Sequence, residues 1–155
     1  MKKQQKKTKL SAKSPARKKT TAKEKKSSKP TKKKVEKPKE GPSEVLVKAI
    51  IKGIQEKKGD QIVCLNLKEI DTAVCDYFII CEGGSRTQVD AIARSVEDVV
   101  RKENKEKPYH SEGFENAEWI VMDYVSVVVH IFQRHIRDFY KLEDLWADAE
   151  VRQVA

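Results

Sequence analysis

The chain has 155 residues and a formal net charge of +9. Residues 1–42 contain 18 of the 33 lysines and arginines and three glutamates, so their net charge is +15. The other residues carry 15 basic and 21 acidic side chains, so their net charge is −6. This division describes a basic tail joined to a mildly acidic domain, so the whole-chain charge gives no reason to assign nucleic-acid binding to the domain.

The tail, residues 1–42, is predicted to be disordered. Its clearly apolar side chains are Met1, Leu10 and Val35, too few to offset the conformational entropy lost when such a segment orders. Its lysines would attract nucleic-acid phosphates without sequence preference, although a solubility or localisation tail fits equally well. The chain contains no apolar run as long as a membrane span or a signal-peptide core, so we expect a cytoplasmic protein without membrane contact.

The predicted domain, residues 43–149, opens with a helix. Ser43 is a favourable N-cap and Gly59 is a favourable helix end. The apolar residues between them recur at helical spacing: Leu46, Val47, Ile50, Ile51 and Ile54. Residues 61–67 and 76–82 are β-branched and aromatic runs of strand length, which predict two neighbouring strands.

The second predicted helix has the best-marked start in the sequence. Gly83 and Gly84 end the preceding strand, and Ser85 with Gln88 three residues later forms a capping-box pattern. The helix extends to about Asn104. Its apolar residues share one face: Val89, Ile92, Ala93, Val96, Val99 and Val100. The opposite face is charged, so we expect the apolar face to pack on a sheet.

Three further strands are predicted in the second half of the domain. Residues 109–112 form a short extended piece, and residues 119–123 and 127–132 form strands joined by a tight turn at Val125 and Ser126. Two hairpin-like pairs interrupt the alternation of strands and helices. We therefore expect an α/β fold with a mixed five-stranded sheet and three helices.

The last predicted helix, residues 135–146, has an unusually wide apolar arc, which spreads over roughly 220° at 100° per residue. Its members are Ile136, Phe139, Tyr140, Leu142, Leu145 and Trp146. One sheet cannot cover so wide an arc. Either the chain after Trp146, including the C-terminal end at residues 150–155, folds back over it, or part of the arc binds another protein. Tyrosine and tryptophan favour the second interpretation.

The spacing of the reactive side chains supports neither catalysis nor a cofactor. Two-metal nucleotidyl transfer needs paired aspartates on one strand, and Asp123 has no second aspartate at that spacing. Ser126, His130 and Asp123 lack the strained turn that exposes a nucleophilic serine. The cysteines and histidines form neither C-x-x-C nor H-x-x-x-H patterns: Cys64, Cys75, Cys81, His110, His130 and His135. We therefore expect no enzyme and no metal site, and reduced, buried thiols.

Five segments of the domain, taken in order, resemble the signature blocks of the RsfS/Iojap ribosomal silencing factors. They are D-Y-F-I-I-C-E-G-G-S-R-T-Q-V from Asp76, H-S-E-G from His110, W-I-V-M-D from Trp119, V-V-V-H-I-F from Val127 and R-D-F-Y-K-L-E-D-L-W-A-D-A from Arg137. The resemblance covers residues 43–149. It has one departure in the domain, because Val125 and Ser126 stand where the family usually has Gly-Asp.

The resemblance implies a sheet topology like that of nucleotidyltransferases, and a steric function without catalysis. It implies docking on the large ribosomal subunit through large-subunit ribosomal protein fourteen, which blocks joining of the small subunit and represses translation. Separately from the resemblance, the charge of the basic tail fits loose contact with ribosomal RNA, and a homodimer stays open. The alternative is a ribosome-assembly or RNA-binding factor that acts through its basic tail, with the domain serving only as an anchor.

The predicted partner-binding surface lies in the C-terminal half. Strand alternation places Trp119 and Asp123 on one side of the sheet, and Ile120, Met122 and Tyr124 on the other. The predicted partner-binding residues come from the two C-terminal strands, their turn and the last helix: Trp119, Tyr124, His130, Phe132, Tyr140 and Trp146. For His130, a half-buried structural role is the alternative.

Overall fold

The structure is a computed structural model that describes residues 40–154. The helices are α1 (Pro42–Glu56), α2 (Arg86–Glu103), α3 (Arg134–Tyr140) and α4 (Leu142–Leu145). The strands are β1 (Asp60–Asn66), β2 (Tyr77–Gly83), β3 (His110–Glu112), β4 (Trp119–Asp123), β5 (Val127–Gln133) and β6 (Glu150–Gln153). Residues 1–39, which form most of the predicted disordered tail, lie outside the described residues.

The sheet has six strands in the order β3-β4-β5-β2-β1-β6. β2 and β5 run parallel, and every other neighbouring pair is antiparallel. The predicted mixed sheet is therefore confirmed, but the predicted number of five strands is wrong. The sixth strand, β6, lies within the C-terminal end and pairs Val151 with Leu65 of β1. All four of its residues are exposed and Val151 is its one apolar residue, so no alternating pattern marks it. The likeness to nucleotidyltransferase topology stays a prediction.

Helices α1 and α2 cover one face of the sheet and enclose the larger of two hydrophobic clusters. They approach each other closely at Gly53, where an added Cβ would lie 2.7 Å from the Cα of Val96. A side chain at position 53 would therefore force the helices apart. This contact explains a glycine in a helix interior, which otherwise lowers helix stability.

The start of α1 differs from the prediction. Gly41 is the N-cap and Pro42 is the first helical residue, where proline needs no hydrogen-bond partner for its nitrogen. The Gly41 N–H donates to the Glu44 carboxylate at 3.3 Å. Ser43, the predicted cap, instead donates from its Oγ to Asp76 Oδ2 at 2.6 Å, which ties the helix to the entry of β2.

The turn between β2 and α2 contains half of the predicted capping box. Ser85 Oγ accepts a hydrogen bond from the Gln88 N–H, as expected. The Gln88 side chain turns elsewhere: its Oε1 accepts from the Gly84 N–H at 2.8 Å, and its Nε2 donates to the Lys58 carbonyl at 2.9 Å. Gln88 therefore joins the end of β2 to the chain that follows α1.

The predicted last helix is divided into α3 and α4. Lys141 separates them in the left-handed conformation, with φ 44° and ψ 55°. The single predicted helix over residues 135–146 is therefore wrong. Lysine has a good helix propensity and rarely adopts positive φ, so the sequence carried no sign of this break.

The thiols of the three cysteines are free, and two are buried as predicted. Cys64 and Cys81 lie in the core, while Cys75 is half-buried. Burial raises the pKa of Cys64 and Cys75 to about 11 and that of Cys81 to about 12. The thiols are therefore protonated at neutral pH, and this makes them poor nucleophiles.

The turn between β4 and β5 is strained at Val125. This exposed residue has a φ of 71°, and the Ser126 N–H donates across it to the Tyr124 carbonyl. The Val125 N–H donates to Asp123 Oδ1 at 2.7 Å, which holds the turn in place. A β-branched residue is disfavoured at positive φ, whereas glycine is not. Val125 is thus a strained replacement for the glycine usual in the family that the sequence resembles.

Replacing Val125 with glycine should stabilise the protein. Relief of the left-handed strain, about 1 to 2 kcal/mol, exceeds the extra chain entropy of glycine, so the free energy of unfolding should rise by about 0.5 to 1 kcal/mol. Urea denaturation measures this change. Val74→Gly is the matched control, because Val74 is exposed in a loop and is not at positive φ; it should leave stability unchanged or lower it. An equal loss of unfolding free energy in both variants would contradict the conclusion that Val125 is strained.

Candidate functional site

The face of the sheet opposite α1 and α2 carries the second hydrophobic cluster. Its buried members are Val63, Leu65, Leu67, Phe78, Ile80, Phe132 and Ala149. Half-buried residues of the 67–76 loop and of α3 and α4 pack against them: Ile70, Ala73, Cys75, Ile136, Leu142 and Trp146. Trp119 and Val128, at the β4 and β5 side of this face, are also half-buried.

A group of ring side chains forms the centre of this face, and we call it the aromatic face: Phe78, Trp119, His130, Phe132, Tyr140 and Trp146. Trp119 stacks on Phe132 with 4.8 Å between ring centroids, and Tyr140 lies 5.0 Å from Trp119. Phe78 meets Trp146 edge to face at 5.4 Å. β2, β4, β5 and α3 contribute rings, and Trp146 directly follows α4.

His130 links the two halves of the aromatic face. Its ring lies 4.9 Å from Phe78 and 5.9 Å from Trp119. The Trp119 Nε1–H donates to His130 Nδ1 at 3.2 Å. Neutral His130 therefore carries its proton on Nε2, which is buried without a hydrogen-bond partner among residues 40–154. Burial lowers the pKa of His130 from 6.5 to about 4, so the ring is neutral at physiological pH.

Part of this region is open to solvent. Phe139 is 78% exposed and Tyr140 is 51% exposed, and their rings meet edge to face at 5.1 Å. Together with the half-buried Trp119 they form what we call the exposed patch. No residue of α3 is fully buried, which is consistent with its position at the surface. Leu145 of α4 is exposed as well. Phe139 and Leu145 were absent from the predicted site, although the wide apolar arc of the last helix was the signal for both.

An ion-pair network fixes α3 and α4 against the sheet. Glu82 of β2 is only 6% exposed and accepts from Arg134 Nε at 2.8 Å and from Arg137 Nη1 at 3.3 Å. Arg137 also donates to the Gln61 carbonyl at 2.8 Å and from its Nε to Glu143 at 2.9 Å. Glu143 lies beyond the break at Lys141, so this network holds both short helices in one orientation.

The structure brings together five of the six predicted partner-binding residues. Trp119, His130 and Phe132 lie on adjacent strands, Tyr140 is the last residue of α3, and Trp146 directly follows α4. Tyr124 lies on the opposite side, buried in the cluster under α1 and α2. Strand alternation explains its separation, since Ile120 and Met122 point the same way. Burial raises the pKa of Tyr124 well above its usual value of 10.

The residues tested for catalysis have structural roles. Asp123 Oδ1 accepts a hydrogen bond from the Val125 N–H in the β4–β5 turn. In a catalytic triad the aspartate accepts a hydrogen bond from one histidine nitrogen. In His130 the Nδ1 atom already accepts a hydrogen bond from Trp119 and therefore cannot donate one to an aspartate. Among residues 40–154, no group of three or more histidine, cysteine or acidic side chains could hold a metal ion. Within the same residues, no helix combines the length and apolar character needed to cross a membrane.

The solved structures with a similar fold include two from bacteria. The chain is similar to a crystal structure from Bacillus halodurans, with a TM-score of 0.58 and 39% identity, covering 65% of this chain and 92% of that one. It is also similar to a crystal structure from Chromobacterium violaceum, with a TM-score of 0.62 and 32% identity, covering 71% of this chain and 90% of that one.

Sequence comparisons agree with the structural ones. The family described as "Ribosomal silencing factor during starvation" (RsfS) matches residues 38–155. A protein from Halalkalibacterium halodurans named ribosomal silencing factor RsfS is 38% identical over 107 residues, which cover 69% of this chain and 90% of that protein. A protein of the same name from Bacillus subtilis is 39% identical over 104 residues, which cover 67% of this chain and 86% of that protein. This chain therefore belongs to the RsfS family of ribosomal silencing factors.

Proposed function

We propose that this chain binds the large ribosomal subunit through large-subunit ribosomal protein fourteen and sterically blocks joining of the small subunit, which represses translation. The family supports a role in regulating translation at the ribosome. The partner protein and the block of subunit joining are what the sequence resemblance implies. The proposal places the chain with the ribosomes of the cytoplasm.

The observation that carries the proposal is the exposed patch on the aromatic face. The buried rings of His130 and Phe132 contact Trp119 of the patch. Phe139 and Tyr140 are exposed to solvent. Large, rigid aromatic side chains are the residues that most often dominate the energy of a protein interface. A fixed patch also loses little conformational entropy on binding. Steric blocking needs only such a docking surface, and therefore no catalytic residue or cofactor.

Gradient sedimentation of purified subunits tests this function directly. The chain should migrate with large subunits, and its addition should lower the fraction of joined ribosomes. Migration with small subunits alone would contradict the proposal.

A second candidate function is large-subunit assembly with the basic tail as the main effector. One relative, from Mus musculus, carries the name "Mitochondrial assembly of ribosomal large subunit protein 1" and is 29% identical over 107 residues, 65% of this chain and 46% of that protein. The 18 lysines and arginines of residues 1–42 supply the charge for contact with ribosomal RNA.

Truncating Tyr140 should weaken binding to large subunits without unfolding the protein. Loss of an aromatic anchor typically costs about 2 kcal/mol, so the dissociation constant for Tyr140→Ala should rise roughly thirtyfold. Because the ring is half exposed, the melting temperature should change by a few degrees at most. Tyr109→Ala is the matched control, since Tyr109 is 83% exposed next to β3 and outside the aromatic face. A folded Tyr140→Ala variant that binds as tightly as the control would exclude Tyr140 from the interface.

The stability of the aromatic face should depend on pH through His130. In the unfolded chain His130 has its ordinary pKa near 6.5, whereas in the folded protein its pKa is about 4. The contribution of neutral His130 is therefore complete above pH 6.5 and is lost as the pH falls toward 4, by about 3 kcal/mol in all. His130→Gln should remove this part of the pH dependence, as measured by urea denaturation between pH 7 and pH 5.

His135→Gln is the control for that measurement, because His135 lies exposed on α3. The His135→Gln variant should keep the loss of stability that His130 causes below pH 6.5. Parallel pH curves for His130→Gln and the wild type would show that His130 is not the residue responsible.

Removing residues 1–39 separates the two candidate functions. If the domain carries the function, the shortened chain should still bind isolated large subunits at moderate salt, with a smaller salt dependence because fewer phosphate contacts are made. Binding is measured by sedimentation at two salt concentrations. Complete loss of binding at moderate salt would favour the tail-driven assembly function.

A further inference from the structure

Two residues close to α3 have a left-handed backbone conformation, which residues other than glycine rarely adopt. Gln61 in β1 has a φ of 48°, and Lys141 between α3 and α4 has a φ of 44°. Both lie beside acceptors of one side chain, the guanidinium of Arg137. Gln61 provides its own carbonyl, and Lys141 precedes by two residues the carboxylate of Glu143.

The first of these residues lies in a β-bulge of β1. Between the pairs Asp60–Glu82 and Val63–Ile80, β1 has one more residue than β2, and the register passes over Gln61. An extra residue of this kind bends the strand and can aim its groups away from the regular ladder. The Gln61 carbonyl accepts a hydrogen bond from the guanidinium at 2.8 Å.

Arg137 bonds to acceptors from three elements. Besides the Gln61 carbonyl of β1, its Nη1 donates to Glu82 of β2 at 3.3 Å, and its Nε donates to Glu143 of α4 at 2.9 Å. The planar guanidinium has five N–H donors in a fixed fork, whereas lysine has a single ammonium group. Only 11% of the Arg137 side chain is exposed, so it offers a partner little contact area.

Apolar burial alone holds α3 and α4 only weakly. No residue of either helix is fully buried, and Ile136 and Leu142 are half-buried against the second cluster. α3 has seven residues and α4 has four. Helices this short are not stable without tertiary contacts. The orientation of both helices therefore depends strongly on the bonds of Arg137.

We infer that Arg137 is the positioning residue of the exposed patch: it holds α3 and α4 in the one orientation that can bind the large subunit, without itself contacting the subunit. This inference rests on the proposed function and adds to it the residue that controls whether the surface is competent. The bulge at Gln61 and the break at Lys141 belong to the same arrangement, since each brings an acceptor within reach. Without the guanidinium the helices sample several orientations, and the apparent affinity falls with the fraction in the competent one.

Amide hydrogen exchange of the full chain tests the positioning role directly. Arg137→Lys keeps the charge but removes the fork. Arg101→Lys is the matched control, because Arg101 pairs with Glu97 on α2, against the other face of the sheet. Amides of residues 138–146 should exchange about tenfold faster in Arg137→Lys than in the control, while those of β2 and β5 keep their wild-type rates. Unchanged exchange over residues 138–146 would overturn the inference.

Binding to isolated large subunits adds a measurement that general destabilisation would not reproduce. Arg137→Lys should raise the dissociation constant about tenfold, mainly through slower association, because fewer molecules are competent. In a Tyr140→Ala background the same substitution should raise it by about threefold or less, since one positioned ring is already absent. Equal factors in both backgrounds would show that Arg137 does not act through the patch.

Glu143→Gln provides a second variant, which keeps the test decisive if Arg137→Lys fails to fold. It weakens only the bond to α4, so faster exchange should be confined to residues 142–146, and unchanged exchange there would contradict the inference. The proposed function has a separate outcome. If the wild type does not bind large subunits, that function is wrong, whereas the exchange rates still decide whether Arg137 holds α3 and α4 in place.

Discussion

The buried carboxylate of Glu82 determines how the C-terminal part of this fold is arranged. Glu82 lies on an inner strand of the sheet, where an unpaired charge would be strongly unfavourable. Arg134 and Arg137 neutralise it, and both belong to α3. If α3 left the sheet, the Glu82 carboxylate would lose both of its arginine partners among residues 40–154. Arg137 extends this constraint to Glu143 and so to α4.

The aromatic face depends on that constraint. Tyr140 follows Arg137 by three residues and Trp146 follows Glu143 by three residues, so the two ion pairs set the positions of both rings. Tyr140 then meets Trp119, and Trp146 meets Phe78. Ring packing against the sheet and the ion pairs of Arg137 thus both position the aromatic face. A surface held in this way is preorganised for a partner, because little remains to be ordered on binding.

Much of the fold could be predicted from local patterns in the sequence. The alternation of side chains correctly predicted which residues of β4 lie on each side of the sheet. Ser85 correctly predicted the start of α2. What the patterns missed has physical causes. The break at Lys141 is spanned by the Arg137–Glu143 ion pair, which no local pattern indicates, and β6 is recognisable only through its partner β1. Tyr124 follows the alternation and is buried with Ile120 and Met122, so its inclusion in the predicted partner-binding surface conflicted with the alternation itself.

For the candidate site, the sequence indicated a region more reliably than individual residues. The wide apolar arc of the last helix correctly indicated side chains that no sheet covers, and Phe139 proved the most exposed of its rings. No periodic pattern could indicate that His130 accepts from Trp119, because this contact joins two strands through their register. Side-chain hydrogen bonds of this kind depend on the assembled sheet.

The two outer strands of the sheet bear on how the protein behaves at high concentration. β3 has three residues and β6 has four, every one of them is exposed, and Val151 is the one aliphatic side chain among them. Long, flat, apolar outer strands pair with strands of other molecules and begin aggregation, whereas short strands with charged side chains resist such pairing. Glu112, Glu150 and Arg152 supply these charges. The sheet is thus protected at both sides against growth into fibrils, even while an apolar patch stays open on its face.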